Sequence, residues 1–100
     1  MSGSGQPIRF EAEVVKFDGP GGWHAVFLDE EAAARARFFG HPNALGAIAV
    51  QVQIGASAVK TSLFPDRKRA TYLLPLKAEL RRREGIAEGC MISVLLTVDS

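Results

Sequence analysis

Cysteine is almost missing from this sequence. Cys90 stands alone among 100 residues, so no intrachain disulfide can close. A small domain that does without disulfides fits a reducing compartment, and the expectation is a cytoplasmic protein. Long apolar runs are missing as well: the longest, "ALGAIAV" at 44–50, falls far short of the roughly 18 residues that mark a membrane span. The opening "MSGSGQ" has neither the positive start nor the apolar stretch of a secretory signal. It reads as a flexible lead-in over 1–7, or an expression remnant, ahead of one folded domain over 8–99. Charge of one sign is scarce overall, with a net charge of +1, which weakens any reading as a dedicated nucleic-acid binder. Two histidines and one cysteine without close ligand spacing predict no zinc site, and no cofactor is expected.

What is present is the balance of a globular chain, 47% hydrophobic and 23% charged, enough for one modest core. In "IRFEAEVVKF", Ile8, Phe10, Ala12 and Val14 alternate with polar residues, the period of a half-buried strand. The adjacent Val14 and Val15 break the alternation, so a bulge or change of face is expected there. "DGPGG" is a turn, and it lacks the GxGxxG spacing of a phosphate loop. "WHAVFL" is a second strand. "DEEAAARARFFG" then reads as a helix with Asp29 as N-cap, Glu30 and Glu31 in its first turn, an apolar stripe of Leu28, Ala32, Ala36 and Phe39, and Gly40 as terminator. Glu31 is spaced to pair with Arg35.

"AIAVQVQI" alternates cleanly, "GAS" is a tight hairpin turn, and "AVKTSLF" is the next strand. Pro65 and Asp66 are expected to open a basic loop, and "ATYLL" to resume as a strand. Pro75 reads as the first position of a helix "PLKAELRRREG", with Leu76 and Leu80 as its buried stripe. "CMISVLLTV" is the last strand. The order is β, β-α-β, β, β-α-β. Its halves share a design in which an apolar-ended strand runs into an Ala- and Arg-rich helix, then a glycine turn, then an alternating strand; Arg35 and Arg37 fall opposite Arg81 and Arg83. Six short strands leave edges that closure protects, so the predicted fold is mainly β, a small barrel with two helices at its ends.

"GGWHAVFL", "GAIAVQVQIGASAVKTSLFP" and "YLLPLKAELRRREGIAEG" closely resemble the bacterial family known as domain of unknown function 1905, from about Phe10 to Val98. The resemblance implies a double-split β-barrel made of two βαβ pseudo-repeats. That architecture is also found in swapped-hairpin DNA-binding domains of transition-state regulators and antitoxins, and "LLPLKAELRRREGIAEGCMISVLL" looks like one arm of such a hairpin. The sequence departs from these patterns at Cys90, where an acidic residue usually follows the glycine. The resemblance brings no established activity with it.

The charge is unevenly spread. Residues 1–59 hold four basic and six acidic residues, whereas 60–83 hold eight basic residues against Asp66 and Glu79. Arg67, Lys68 and Arg69 in the loop, with Lys77 and Arg81 a helical turn apart, are the first candidate site, a surface for an anionic partner: nucleic acid, an acidic protein or a phosphorylated small molecule. The plainer reading is that Arg81, Arg82 and Arg83 oppose the helix dipole and that charged loops favour solubility. Trp23, Lys60 and Ser62, on neighbouring strands, are the alternative, a pocket for a small ligand or a reaction. A lone tryptophan in a small barrel is more often core. Ser57, Thr61, Ser62 and Cys90 are the nucleophile candidates and His24 and His41 the only histidines; a nucleophile–base pair needs hydrogen-bond reach, which sequence does not show, and His41 in "HPN" reads as a turn residue. A non-enzymatic binding module is therefore the expected function, and two pseudo-symmetric halves make a monomer sufficient.

Overall fold

The computed structural model describes residues 7–19 and 21–99. Apart from Pro7, the lead-in expected over 1–7 lies outside the described residues. The elements are β1 (Ile8–Glu13), β2 (Val15–Lys16), β3 (His24–Phe27), α1 (Glu30–Phe39), β4 (Ile48–Ile54), β5 (Ser57–Asp66), β6 (Thr71–Pro75), α2 (Ala78–Glu84) and β7 (Met91–Val98). The predicted first strand is therefore two strands, and the described strands number seven. They follow the order β1-β7-β4-β5-β6-β3-β2 in a nearly closed barrel.

The division falls at Val14, where the sequence breaks its alternation. Phe10 pairs with Val94 of β7, whereas Val15 pairs with Ala25 of β3. One continuous segment thus supplies both ends of the strand order, and its kink brings those ends together. The seam is hydrogen bonded: the Val14 amide donates to the Cys90 carbonyl at 2.8 Å, and the Gly89 amide donates to the Val14 carbonyl at 2.8 Å. Gly89 has a φ of 89°, a conformation in which glycine replaces side chain with freedom. β5 does the same for the second half, pairing with β4 over Ser57–Leu63 and with β6 over Phe64–Asp66. Exchanging β1/β2 with β5, β3 with β6 and β4 with β7 leaves this set of pairings unchanged.

Alternation places the core. Ile48, Val50, Val52 and Ile54 of β4 and Val94, Leu96 and Val98 of β7 are buried together with Ile8, Phe10, Val26, Leu63 and Leu74. The β4–β5 hairpin closes over Gly55 and Ala56; Gly55 has a φ of 59°, the sign a type II′ turn needs at its first central position. Glu84 of α2 fastens this turn, accepting from the Ala56 amide at 3.4 Å and from the hydroxyl of buried Ser57.

α1 begins as its sequence predicts, with Asp29 accepting from the Ala32 amide at 2.8 Å. It buries Ala32, Ala33 and Ala36. Gly40 ends it, but with a φ of −85° rather than a left-handed one. Glycine is required there by proximity, because a Cβ would lie 2.6 Å from both the Ala36 carbonyl oxygen and Ile48 Cγ2. The ion pairs among the described residues are Arg69–Asp66 and Arg83–Glu79, so the spacing of Glu31 and Arg35 is not used for one.

Both proline readings are corrected. Pro65 does not open a loop: it lies inside β5, opposite Tyr72. β4 begins at Ile48, opposite Leu63, so Pro65 sits where β5 has already left its β4 partner and no ladder donor is missed. Pro75 does not start a helix; it ends β6, paired with Ala25. The chain stays extended for two more residues, the Leu76 amide donating to the His24 carbonyl at 2.9 Å, and α2 begins only at Ala78, with Lys77 as a cap that makes no side-chain bond. Extension buries Leu76, a gain of about 1.5–3 kcal/mol, against the few tenths per residue that helix propensity offers.

Candidate functional site

The parity of the hydrogen bonds around β5 explains where the fold opens. In a two-residue hairpin the flanking residues exchange both main-chain bonds, so Ser57, Val59, Thr61 and Leu63 direct their amides and carbonyls at β4. The Ala58, Lys60, Ser62 and Phe64 main-chain groups then point the other way, towards β6. On β6, the Leu28 amide bonds to the Tyr72 carbonyl and the Leu76 amide to the His24 carbonyl, so even-numbered residues face β3 and Leu73, Pro75 and Lys77 face β5. Phe64 opposite Leu73 is a complete rung. The next rung would join Ser62 to Pro75, and Pro75 has no N–H to give. The ladder stops there and the strands part.

The parting leaves a cavity of about 660 Å³. Its lining comes from the β2–β3 turn and the start of β3 (Gly21, Trp23, His24), from the middle of β5 (Lys60, Thr61, Ser62, Phe64), and from the departing chain into α2 (Leu76, Lys77, Arg81). A smaller hollow of about 190 Å³ continues along Val59, Thr61, Glu79, Leu80 and Arg83. Trp23, expected in the core, is 57% exposed, and Phe64 is 40% exposed. The barrel interior is filled by branched aliphatic residues, which leaves the indole at the cavity mouth beside the glycine turn. A Cβ on Gly21 would meet the Trp23 ring at 3.7 Å, so the turn packs against the indole edge.

Among the described residues three cations, Lys60, Lys77 and Arg81, line the larger cavity, and no carboxylate does. Arg81 is oriented by its Nε, which donates to the Leu76 carbonyl at 3.1 Å. His24 is held by Nδ1, which lies 2.7 Å from the Gly22 carbonyl and therefore carries the proton. That bond orients the ring and engages only one of its two nitrogens, and among the described residues no serine or threonine hydroxyl of the cavity is hydrogen bonded to it. Among the described residues no three His, Cys, Asp or Glu side chains gather as a metal site.

The two candidate sets are redistributed. Trp23, Lys60 and Ser62 do line one cavity. The basic set divides: Lys77 and Arg81 join that cavity, whereas Arg67, Lys68 and Arg69 sit in the β5–β6 turn and do not line it. Arg69 is occupied by the turn itself. Its amide and its guanidinium both donate to Asp66 at 3.0 Å, and the guanidinium carbon lies 4.3 Å from the centre of the Phe27 ring. The Arg69 amide bond holds the Asp66 carboxyl below its ordinary value of 3.8; burial opposes the shift, and the guanidinium adds to it. Arg67 and Lys68 are exposed. Ser57 is hydrogen bonded to Glu84, Cys90 is half-buried in the turn before β7 and does not line the cavity, and His41 lies exposed in its loop. Sequence reasoning missed Phe64 and Leu76 as lining residues and Pro75 as the residue that opens the cavity. The signal for the first was present, since Phe64 falls on the same strand face as Lys60 and Ser62.

A family model described as Domain of unknown function (DUF1905) matches residues 10–96. No curated protein matches the chain. No helix among the described residues is long and apolar enough to cross a membrane.

Proposed function

The chain belongs to the family of domains of unknown function DUF1905, and from that premise we propose that it is a binding module that takes an anionic ligand in the cavity between β5 and α2, without chemistry of its own. The observation that carries this reading is the lining, three cations and no carboxylate among the described residues. Composition does not account for it, since the chain holds 12 basic and 11 acidic residues. Trp23 and Phe64 add apolar area that a purely ionic surface would lack. A volume of about 660 Å³ is in the range of ordinary ligand sites, roughly 300–1,000 Å³. Among the described residues no base is held on a hydroxyl nucleophile in the cavity, which favours binding over catalysis.

The reading is tested by ¹⁵N-detected titration at low salt with benzoate, adenosine monophosphate and a short polyglutamate, each followed at the amides of Lys60, Ser62 and Lys77. At least one of these anions shifts those amides, added salt weakens it, and Lys77→Ala with Arg81→Ala lowers affinity about tenfold, the loss of one or two charge-assisted contacts. Arg67→Ala with Lys68→Ala leaves affinity within a factor of about two. A panel that moves no cavity amide, or that responds equally to both double variants, would overturn the reading.

A further inference from the structure

The cavity has a polar main-chain wall as well as charged side chains. By the same alternation Lys60 directs its amide and its carbonyl into the gap, away from β4 and outside the Phe64–Asp66 stretch that pairs with β6. The Ser62 carbonyl also points there, opposite a proline that cannot donate to it. In a barrel whose other strands are paired on both sides or joined at the seam, this is a short length of free strand edge.

The topologically equivalent place in the other half is covered. There α1, ten residues long with Ala32, Ala33 and Ala36 buried, lies against β1. α2 also touches β5, but it is seven residues long and buries only Leu80, so it covers its half less fully. Lysines on edges commonly serve to discourage pairing, and Lys60 alone would fit that role. Two further cations and an exposed tryptophan around the same edge go beyond it.

We propose that the anionic ligand is an extended acidic peptide segment of another protein, which adds as a short strand along Lys60–Ser62 of β5. This rests on the binding reading above and names its ligand class. Main-chain pairing with Lys60 and Ser62 supplies affinity that does not depend on sequence, and the alternation of an extended chain supplies selectivity. One set of its side chains meets Lys60, Lys77 and Arg81 and is acidic. The other set faces half-buried Thr61 and buried Leu76 and is small or aliphatic. Trp23 closes one end of the groove over an apolar residue.

The probe is a pool of blocked hexapeptides alternating glutamate with alanine, valine or leucine, titrated into the intact chain. Binding is expected to slow hydrogen exchange of the Lys60 amide at least tenfold, and to be abolished by N-methylation at alternate peptide positions but not at those between, because only one set faces β5. An N-methyl scan without this alternation overturns the proposal. So does a pool that fails to bind while benzoate or adenosine monophosphate still shifts the cavity amides, a result that leaves the anion-binding reading standing. Failure of every probe removes both.

Discussion

Among single residues, Asp66 shows how a basic run can mislead. In the sequence Arg67, Lys68 and Arg69 look equivalent, yet the third is bound to the carboxylate three residues before it and lies over Phe27. No linear pattern distinguishes it, because the ring it covers belongs to β3. The Asp66 carboxyl is held below 3.8, chiefly by the Arg69 amide. A carboxyl with a lowered folded value contributes stability that is present above the unfolded value and is lost as pH falls through the folded one. Asp66→Asn should therefore lower the denaturation midpoint near neutral pH, with the gap to the parent protein shrinking only below 3.8. Urea titrations across the acid range measure this. A gap that stays constant to the lowest pH would mean that the turn gains nothing from the carboxylate charge.

The secondary-structure elements were largely legible, because periodicity reports burial. The alternation of β4 and β7, the Asp29 cap and the break at Val14 all correspond to observed features. The two prolines were misread for a common reason: proline marks a place where an N–H is not needed, and a helix start, a turn and a strand past its partner satisfy that condition equally. Only the pairing of β6 with β3 on one side, and its loss of β5 on the other, shows which applies to Pro75. Pro75→Val restores the missing donor. One new ladder bond is worth about 0.5–1.5 kcal/mol, while the unfolded chain regains freedom that costs about 0.4–1 kcal/mol. The two nearly offset, so the denaturation midpoint should move little. Anion binding should nevertheless fall several-fold as β5 and β6 zip through the groove, and the new amide at position 75 should exchange slowly. Rapid exchange there with unchanged binding would show that proline is not what holds the strands apart.

For the molecule as a whole, closure depends on one segment serving two neighbours. The kink was visible in the sequence as two adjacent valines, but its consequence was not, since β2 pairs with the next strand, β3, while the partner of β1 is β7 at the far end of the chain. Val14 is buried at the seam, 1% exposed, and its amide and carbonyl are both bonded to the turn before β7. Packing and hydrogen bonding at the seam can be separated by two substitutions. Val14→Ala removes buried methyl groups and should cost about 2 kcal/mol. Val14→Pro removes apolar contact to a similar degree and also deletes the donor to the Cys90 carbonyl, so it should cost about 3 kcal/mol or more and loosen the barrel where the kinked segment meets the turn before β7. Exchange protection then distinguishes the cases. The alanine variant keeps slow amides on both sides of the seam, whereas the proline variant loses them first at the Glu13–Met91 end of the β1–β7 ladder and keeps them longest in β4, which is paired on both sides by β5 and β7. If the two variants lose stability equally and uniformly, packing alone closes the barrel, and the hydrogen-bonded seam at Val14 is not what joins its ends.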